Sequence, residues 1–269
     1  MKSIDLLRYY RSLSGQSLTV VDVETTGKYA SRDRITELSV LSASPDGEII
    51  QQQTDLINPQ LKMQPYIIGF TGITQAMVDA AAPASDVLPS YEPQLRSGVL
   101  TAHNLEFDYG FLQQEYARLG TDFARSPSDQ LCTVLLARLL LPDLPSRRLP
   151  DLVQHFGFNV GRSHRAEADT IACWLLANRL LAELNQTEDE VLLKRLTQQW
   201  LPLRMIADML GCSVRKAQLQ VEAAGIQPRP TLHKPMYRRG DIEQLLAAPI
   251  NLEASDLEAD ATYEGDQQV

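Results

Sequence analysis

The sequence predicts an α/β domain over residues 1–185 followed by a small helical module over residues 200–248. Three observations carry that reading. Strand-like β-branched runs come first and then alternate with helical patterns up to about residue 185, the order expected of an α/β layer. A polar, charged connector at 186–199 interrupts the pattern, which restarts with shorter helical segments. The end of the chain, 249–269, is acidic and without periodicity, so it is expected to be a disordered tail whose ordering entropy no burial offsets.

The elements follow in order. Residues 18–24, Leu-Thr-Val-Val-Asp-Val-Glu, form a β-branched run between Gly15 and Gly27 and predict a buried strand. Residues 35–43 and 48–57 read as a second and third strand joined by the turn Pro45-Asp46-Gly47, giving an antiparallel meander. Thr74, Ser85 and Ser128 are candidate helix N-caps or turn residues, and 99–102 is a short apolar strand after Gly98. Phe111, Leu112, Glu115, Tyr116 and Leu119 keep helical spacing behind Asp108, and an Ala/Leu-rich helix covers about 166–184.

Composition narrows the class. Of 269 residues 44% are hydrophobic, enough for a packed core. The first eleven residues mix Asp5, Arg8 and Arg11 among apolar ones, unlike an export signal. The most apolar run, 134–141, is interrupted by Arg138 and stopped by Pro142, far short of the ~20 residues of a membrane span. Cys132, Cys173 and Cys212 have neither disulfide nor zinc spacing, so a soluble, cytoplasmic protein in a reducing compartment is expected. The net charge of −9 divides into −5 over 1–185, +2 over 186–251 and −6 over 252–269. Local patches govern association with polyanions, so the acidic total leaves nucleic acid open as a partner.

Asp22 and Glu24 lie two apart on the first strand, so both side chains leave one face, about 6–7 Å apart along the chain. Among Val20, Val21 and Val23 that charge needs a partner, because isolated buried charge costs several kcal/mol. His103-Asn104-Leu105-Glu106-Phe107-Asp108 follows the short strand and places Asp108 at a carboxyl edge, although a helix N-cap would look the same. His164-Arg165-Ala166-Glu167-Ala168-Asp169 opens the long helix after Gly161-Arg162-Ser163. Five helical residues rotate about 140°, so His164 and Asp169 share a target only if His164 precedes the helix.

Together these motifs resemble the DEDDh group of 3′→5′ exonucleases, in the layout of the proofreading epsilon subunits of bacterial DNA polymerase III. Asp22-x-Glu24, His103-Asn104-x-x-Phe107-Asp108 and His164-x-Ala166-x-x-Asp169 match in order, supported by Thr25-Thr26-Gly27, Ile35-x-Glu37, Ile57-Asn58-Pro59 and Gly72-Ile73-Thr74-x-x-Met77-Val78. Thr71 stands where relatives often carry His, and Lys28 where they are usually uncharged. The resemblance covers about 16–184 and implies a ribonuclease-H-like, five-stranded mixed sheet flanked by helices. It implies catalysis by Asp22, Glu24, Asp108, His164 and Asp169, with the four acids holding two Mg²⁺ or Mn²⁺. His164 would take a proton from the attacking water, a task that suits an imidazole near neutral pH. Thr25, Thr26 and Gly27 would border the 3′-terminal nucleotide. Hard oxygen ligands suit these ions and not zinc.

In the second module, residues 205–213 read as a short helix, a tight turn at Gly211 and a new helix capped by Ser213. Gly225 would end that helix, residues 227–237 would form a wing, and 241–246 a closing helix. This resembles the winged helix-turn-helix of MerR-type and excisionase-like proteins. Arg215, Lys216 and Gln218 would enter a major groove, with His233, Lys234, Arg238 and Arg239 on or near the wing. A protein-contact or dimerisation module has the same pattern.

The expected function is therefore metal-dependent 3′→5′ exonucleolysis, with DNA carrying a free 3′ end as substrate and an appended DNA-binding module. Two alternatives stand beside it: an RNA-trimming enzyme, and a DNA-binding regulator with a non-catalytic nuclease-like domain. The resemblance leaves open a polymerase or repair partner, and no membrane partner is expected.

Overall fold

The computed structural model describes residues 1–161, 164–229 and 234–247. His233, part of the expected wing and the expected tail at 249–269 lie outside the described residues. The chain divides into two compact units, Ser3–Arg195 and a smaller one made of Met1–Lys2 with the chain from Leu196 onward.

The larger unit opens with helix α1 (Ser3–Leu13), which the sequence reading left unassigned, and continues with β1 (Leu18–Thr25), β2 (Ile35–Ala43) and β3 (Ile49–Leu56). Short helices α2 (Pro65–Thr71) and α3 (Gln75–Asp79) precede α4 (Ala84–Leu95), β4 (Val99–Ala102) and α5 (Leu105–Arg118). Then come β5 (Gln130–Cys132), α6 (Thr133–Leu140), α7 (Leu149–Phe156), α8 (Ala166–Gln186) and α9 (Asp189–Thr197). The five strands form one mixed sheet in the order β3-β2-β1-β4-β5. β1–β2 and β2–β3 are antiparallel, and β1–β4 and β4–β5 are parallel.

The strand alternation sorts β1 by face. Val21 and Val23 join Leu38, Val40, Leu88, Tyr91, Phe111 and Tyr116 in one buried cluster. Leu18, Val20, Asp22 and Glu24 therefore share the opposite face. α8 packs against β1 and β2, and its inner residues Ala172, Cys173, Leu176 and Leu180 are buried.

Several local expectations are corrected. Ser85 lies inside α4, whose N-cap is Pro83. Ser128, by contrast, is the expected turn residue, within a 3₁₀ turn capped by Ser126. α5 starts at Leu105 behind a left-handed Asn104, so Asp108 is a buried first-turn residue and not the cap. The stretch 186–199, read as a connector on its polarity, holds the whole of helix α9.

A buried ion cluster ties α5 to β2. Glu115, 1% exposed, accepts from Arg34 Nε (2.6 Å), Arg34 Nη2 (2.8 Å), Arg118 Nη1 (3.1 Å) and the Ile35 amide (3.3 Å). Arg34 in turn closes the loop after β1, its amide donating to Thr26 Oγ1 and its carbonyl accepting from the Thr26 amide.

In the smaller unit, β6 (Trp200–Pro202) leads into α10 (Leu203–Leu210) and α11 (Val214–Ala223), followed by β7 (Met236–Arg238) and α12 (Arg239–Ala247). β6 and β7 pair antiparallel. Leu201, Ile206, Ala207, Ala217, Val221, Tyr237 and Ile242 form its own core. Gly211 ends α10 in the left-handed conformation (φ 63°), and Ser213 caps α11 by accepting from the Lys216 amide.

Glu115→Ala is expected to lower the unfolding free energy by about 3 kcal/mol, measured by urea denaturation. The value sits at the low end for a broken buried pair because both guanidinium groups keep some solvent, at 21% and 26% side-chain exposure.

Candidate functional site

The site is built where the even-numbered face of β1 meets the starts of α5 and α8. Glu24 lies opposite Glu37 and Asp22 opposite Ser39 in the β1–β2 register, so four polar residues of the two strands share this face. The register shifts by one residue between Glu24 and Thr25, which turns β1 into the following loop at the site. From the other face of the sheet, α5 contributes Asp108, whose Oδ1 accepts from the Val23 amide at 3.1 Å. That bond fixes the carboxylate of a buried first-turn residue against the strand carrying the other two acids.

α8 supplies Asp169 and the loop before it supplies His164. The His164 amide donates to Asp169 Oδ2 at 2.9 Å, and its φ of 65° is left-handed. The histidine thus precedes the helix, the condition for a target shared with Asp169. Glu24, His164 and Asp169 offer ligand atoms that all lie within 4.8 Å of one another.

Burial of several carboxyl groups is the dominant electrostatic feature, and their mutual repulsion adds to it. Burial, then the charges of Asp108, Asp169, Glu24 and Glu37, push the Asp22 carboxyl well above the usual carboxylate range. Burial, then Asp169 and Glu37, push Glu24 up to about 8, with Arg165 opposing. Burial raises Asp108 as well, against the pull of the Val23 amide. Buried carboxyl groups that repel one another fit a divalent cation: oxygen donors converge, and a cation would offset their charge. Asp22, Glu24, Asp108 and Asp169 are the residues that could hold it.

Two further contributors, Arg165 and Phe70, escaped sequence reasoning, and a third, Glu37, was found only as a motif position. Glu37, 1% exposed, receives Arg165 Nε at 3.1 Å, Arg165 Nη2 at 2.5 Å and the Ala166 amide at 2.9 Å. It therefore anchors the first residues of α8 to β2, directly beside His164. Glu37 was visible as a motif position, but a single sequence does not show its partner. Arg165 was visible only as a letter inside the hexad. Phe70, at the end of α2, stacks on His164 with ring centroids 3.9 Å apart, and no local pattern marks it.

The other sequence-derived residues have resolved roles in the fold. His103 joins Thr133 Oγ1 through Nδ1 and the Arg147 carbonyl through Nε2, both at 2.9 Å, and burial lowers its pKa to about 4. It is a neutral tether between β4 and the loop before α7. Thr25 Oγ1 donates to the Gly27 carbonyl at 2.6 Å, and Thr26 Oγ1 accepts from Arg34, so both hydroxyls serve the turn. At Gly27 a Cβ would meet the Asp33 carboxyl at 2.5 Å, so a side chain there would collide. In the smaller unit Arg215, Lys216 and Gln218 are exposed on α11. Among the described residues no helix is long and apolar enough to cross a membrane.

Fold and site together are those of an exonuclease domain. The chain belongs to the RNase T exonuclease family, whose sequence profile matches residues 19–176. The PolC-type DNA polymerase III of Oceanobacillus iheyensis is 36% identical over 175 residues, covering 64% of this chain and 12% of the relative. That of Bacillus subtilis is 33% identical over 174 residues, covering 65% and 12%. The chain thus spans 12% of the length of these curated relatives. Among solved structures, E. coli Exonuclease I in complex with a dT13 oligonucleotide has a TM-score of 0.56 at 20% identity, covering 69% of this chain and 47% of that one. The nuclease domain of 3′hExo, a DEDDh family member bound to rAMP, has a TM-score of 0.54 at 18% identity, covering 62% and 92%. These likenesses establish the fold; the family match ends before the smaller unit.

The pH dependence of the metal-free protein follows from Glu24. With its carboxyl raised from 4.5 to about 8, the folded protein keeps a proton that the unfolded chain releases. That contribution to stability is complete below pH 4.5 and is lost as pH rises through about 8. The metal-free protein is expected to melt lower at pH 8 than at pH 6, and Asp22→Asn to raise its melting temperature at pH 8 by about 2–4 °C. Calorimetric scans with and without Mg²⁺ check this, the variant losing most of the metal-induced rise.

Proposed function

We propose that the chain hydrolyses the terminal phosphodiester at the 3′ end of DNA, releasing mononucleotides, with two Mg²⁺ or Mn²⁺ and His164 as general base. The observation that carries this reading is the convergence of Asp22, Glu24, Asp108 and Asp169, with burial and neighbouring charge lifting the first three and the imidazole reaching the same space. When bound, the ions would neutralise charge on the attacking and leaving oxygens of an in-line displacement. Asp22, Glu24, Asp108 and Asp169 hold them, and His164 accepts the proton of the attacking water. The bond from phosphorus to the 3′ oxygen of the penultimate nucleotide breaks, leaving that oxygen as a hydroxyl and the released nucleotide with a 5′-phosphate. The Thr25–Gly27 turn borders the terminal nucleotide, and the Thr26 hydroxyl, which only accepts within the turn, keeps its proton to donate.

Two relatives named as DNA polymerases and the oligonucleotide-bound Exonuclease I favour DNA. The rAMP-bound 3′hExo supports RNA as the second reading. Degradation of matched 3′-labelled DNA and RNA strands separates them. EDTA is expected to abolish cleavage and Mg²⁺ to restore it. Asp22→Ala and Asp169→Ala should be inactive, and His164→Ala should lose about 10²- to 10⁴-fold in single-turnover rate. Cleavage by Asp22→Ala at the parental rate would place the reaction elsewhere. An inactive parent that still binds duplex would favour the regulator reading.

The smaller unit is proposed to bind duplex DNA through α11. The turn between α10 and α11 and the exposed Arg215, Lys216 and Gln218 support this, while Val214 (47%) and Leu219 (58%), exposed on the same helix, support a protein-contact role instead. Arg215→Ala with Lys216→Ala in the full chain is expected to weaken duplex binding and lower its salt slope by about two. Fluorescence anisotropy across a salt series, with EDTA present, measures both. An unaltered slope would leave α11 as a surface for protein.

A further inference from the structure

Backbone contacts fix where His164 starts, but not where its ring points. The amide is bonded to Asp169, the next residue is clamped by Glu37, and φ is set at 65°. None of these constrains rotation about the Cα–Cβ and Cβ–Cγ bonds, on which the direction of the imidazole depends.

The ring contact comes from a different part of the chain. Phe70 lies over the imidazole with centroids 3.9 Å apart and planes inclined by 36°. Its own backbone is held: Thr71 is 2% exposed and donates its hydroxyl to the Ile67 carbonyl, and Gly72 closes α2 in the left-handed conformation with its amide on the Ile68 carbonyl. Yet Phe70 itself is 55% exposed, an orientation that core packing does not explain. A ring nitrogen of the same imidazole and the ligand atoms of Glu24 and Asp169 lie within 4.8 Å of one another.

We propose that Phe70 is a positioning residue that holds the His164 ring toward the carboxylates. The proposal rests on the reading of His164 as general base. Phe70 acts through the histidine, so its loss should lower turnover and leave substrate affinity unchanged. A misplaced reacting group of this kind costs up to about 100-fold.

The test uses the full chain. Phe70→Ala is expected to reduce single-turnover kcat by about 10- to 100-fold with KM unchanged, and Phe70→Tyr to restore most of it. In a His164→Ala background Phe70→Ala should cost nothing further, since the group it positions is gone. Independently of activity, the His164 ring proton resonances should carry a ring-current shift that Phe70→Leu removes. An undiminished kcat in Phe70→Ala, a loss confined to KM, an equal loss in the His164→Ala background, or unchanged ring resonances would each overturn the proposal. A parent protein inactive on every strand would overturn it together with the hydrolytic reading, whereas an active parent with an indifferent Phe70 overturns the positioning role alone.

Discussion

Burial of mutually repelling carboxylates at one end of β1 is the constraint to which the rest of the larger unit answers. Burial and neighbouring charge lift Asp22, Glu24 and Asp108 together. A fold tolerates such a cluster only when other interactions offset its cost. Here the offset is local: an amide of β1 on Asp108, an amide of the preceding loop on Asp169, and the Arg165–Glu37 pair beside Glu24. Each of these also aims a side chain, so the interactions that keep the site folded give it its geometry.

The acids themselves were legible because a strand repeats every two residues. Asp22 and Glu24 had to share a face, and the neighbouring valines left that face without another explanation. The five-stranded mixed sheet was legible through the resemblance, and β2 and β4 through their β-branched runs. What the sequence hid were relations across distance. The pairing of Arg165 with Glu37 spans 128 positions, and Phe70 and His164 meet across a gap no periodicity links. Asp108 was ambiguous for a different reason, since an acid in the first turn and an acid at the cap have the same local composition; the left-handed Asn104 decided it. α9 was missed because a charged amphipathic helix and a polar connector look alike in composition.

Histidines in this chain show how environment separates residues that motifs group together. His103 and His164 both open acid-bearing hexads. The first is buried between a hydroxyl and a carbonyl and stays neutral down to about pH 4, a structural tether. The second is half-exposed in a loop and shares space with two carboxylates.

The left-handed backbone at His164 opposes stability and function to one another. A side chain in that conformation costs about 1–2 kcal/mol, and glycine adopts it freely. Glycine is therefore the residue that a search for thermal robustness alone would install there, and it would keep the loop, the amide to Asp169 and the start of α8 intact. Thermostabilised descendants of this chain, natural or designed, would tend toward well-folded proteins whose carboxylates still converge but whose imidazole is gone.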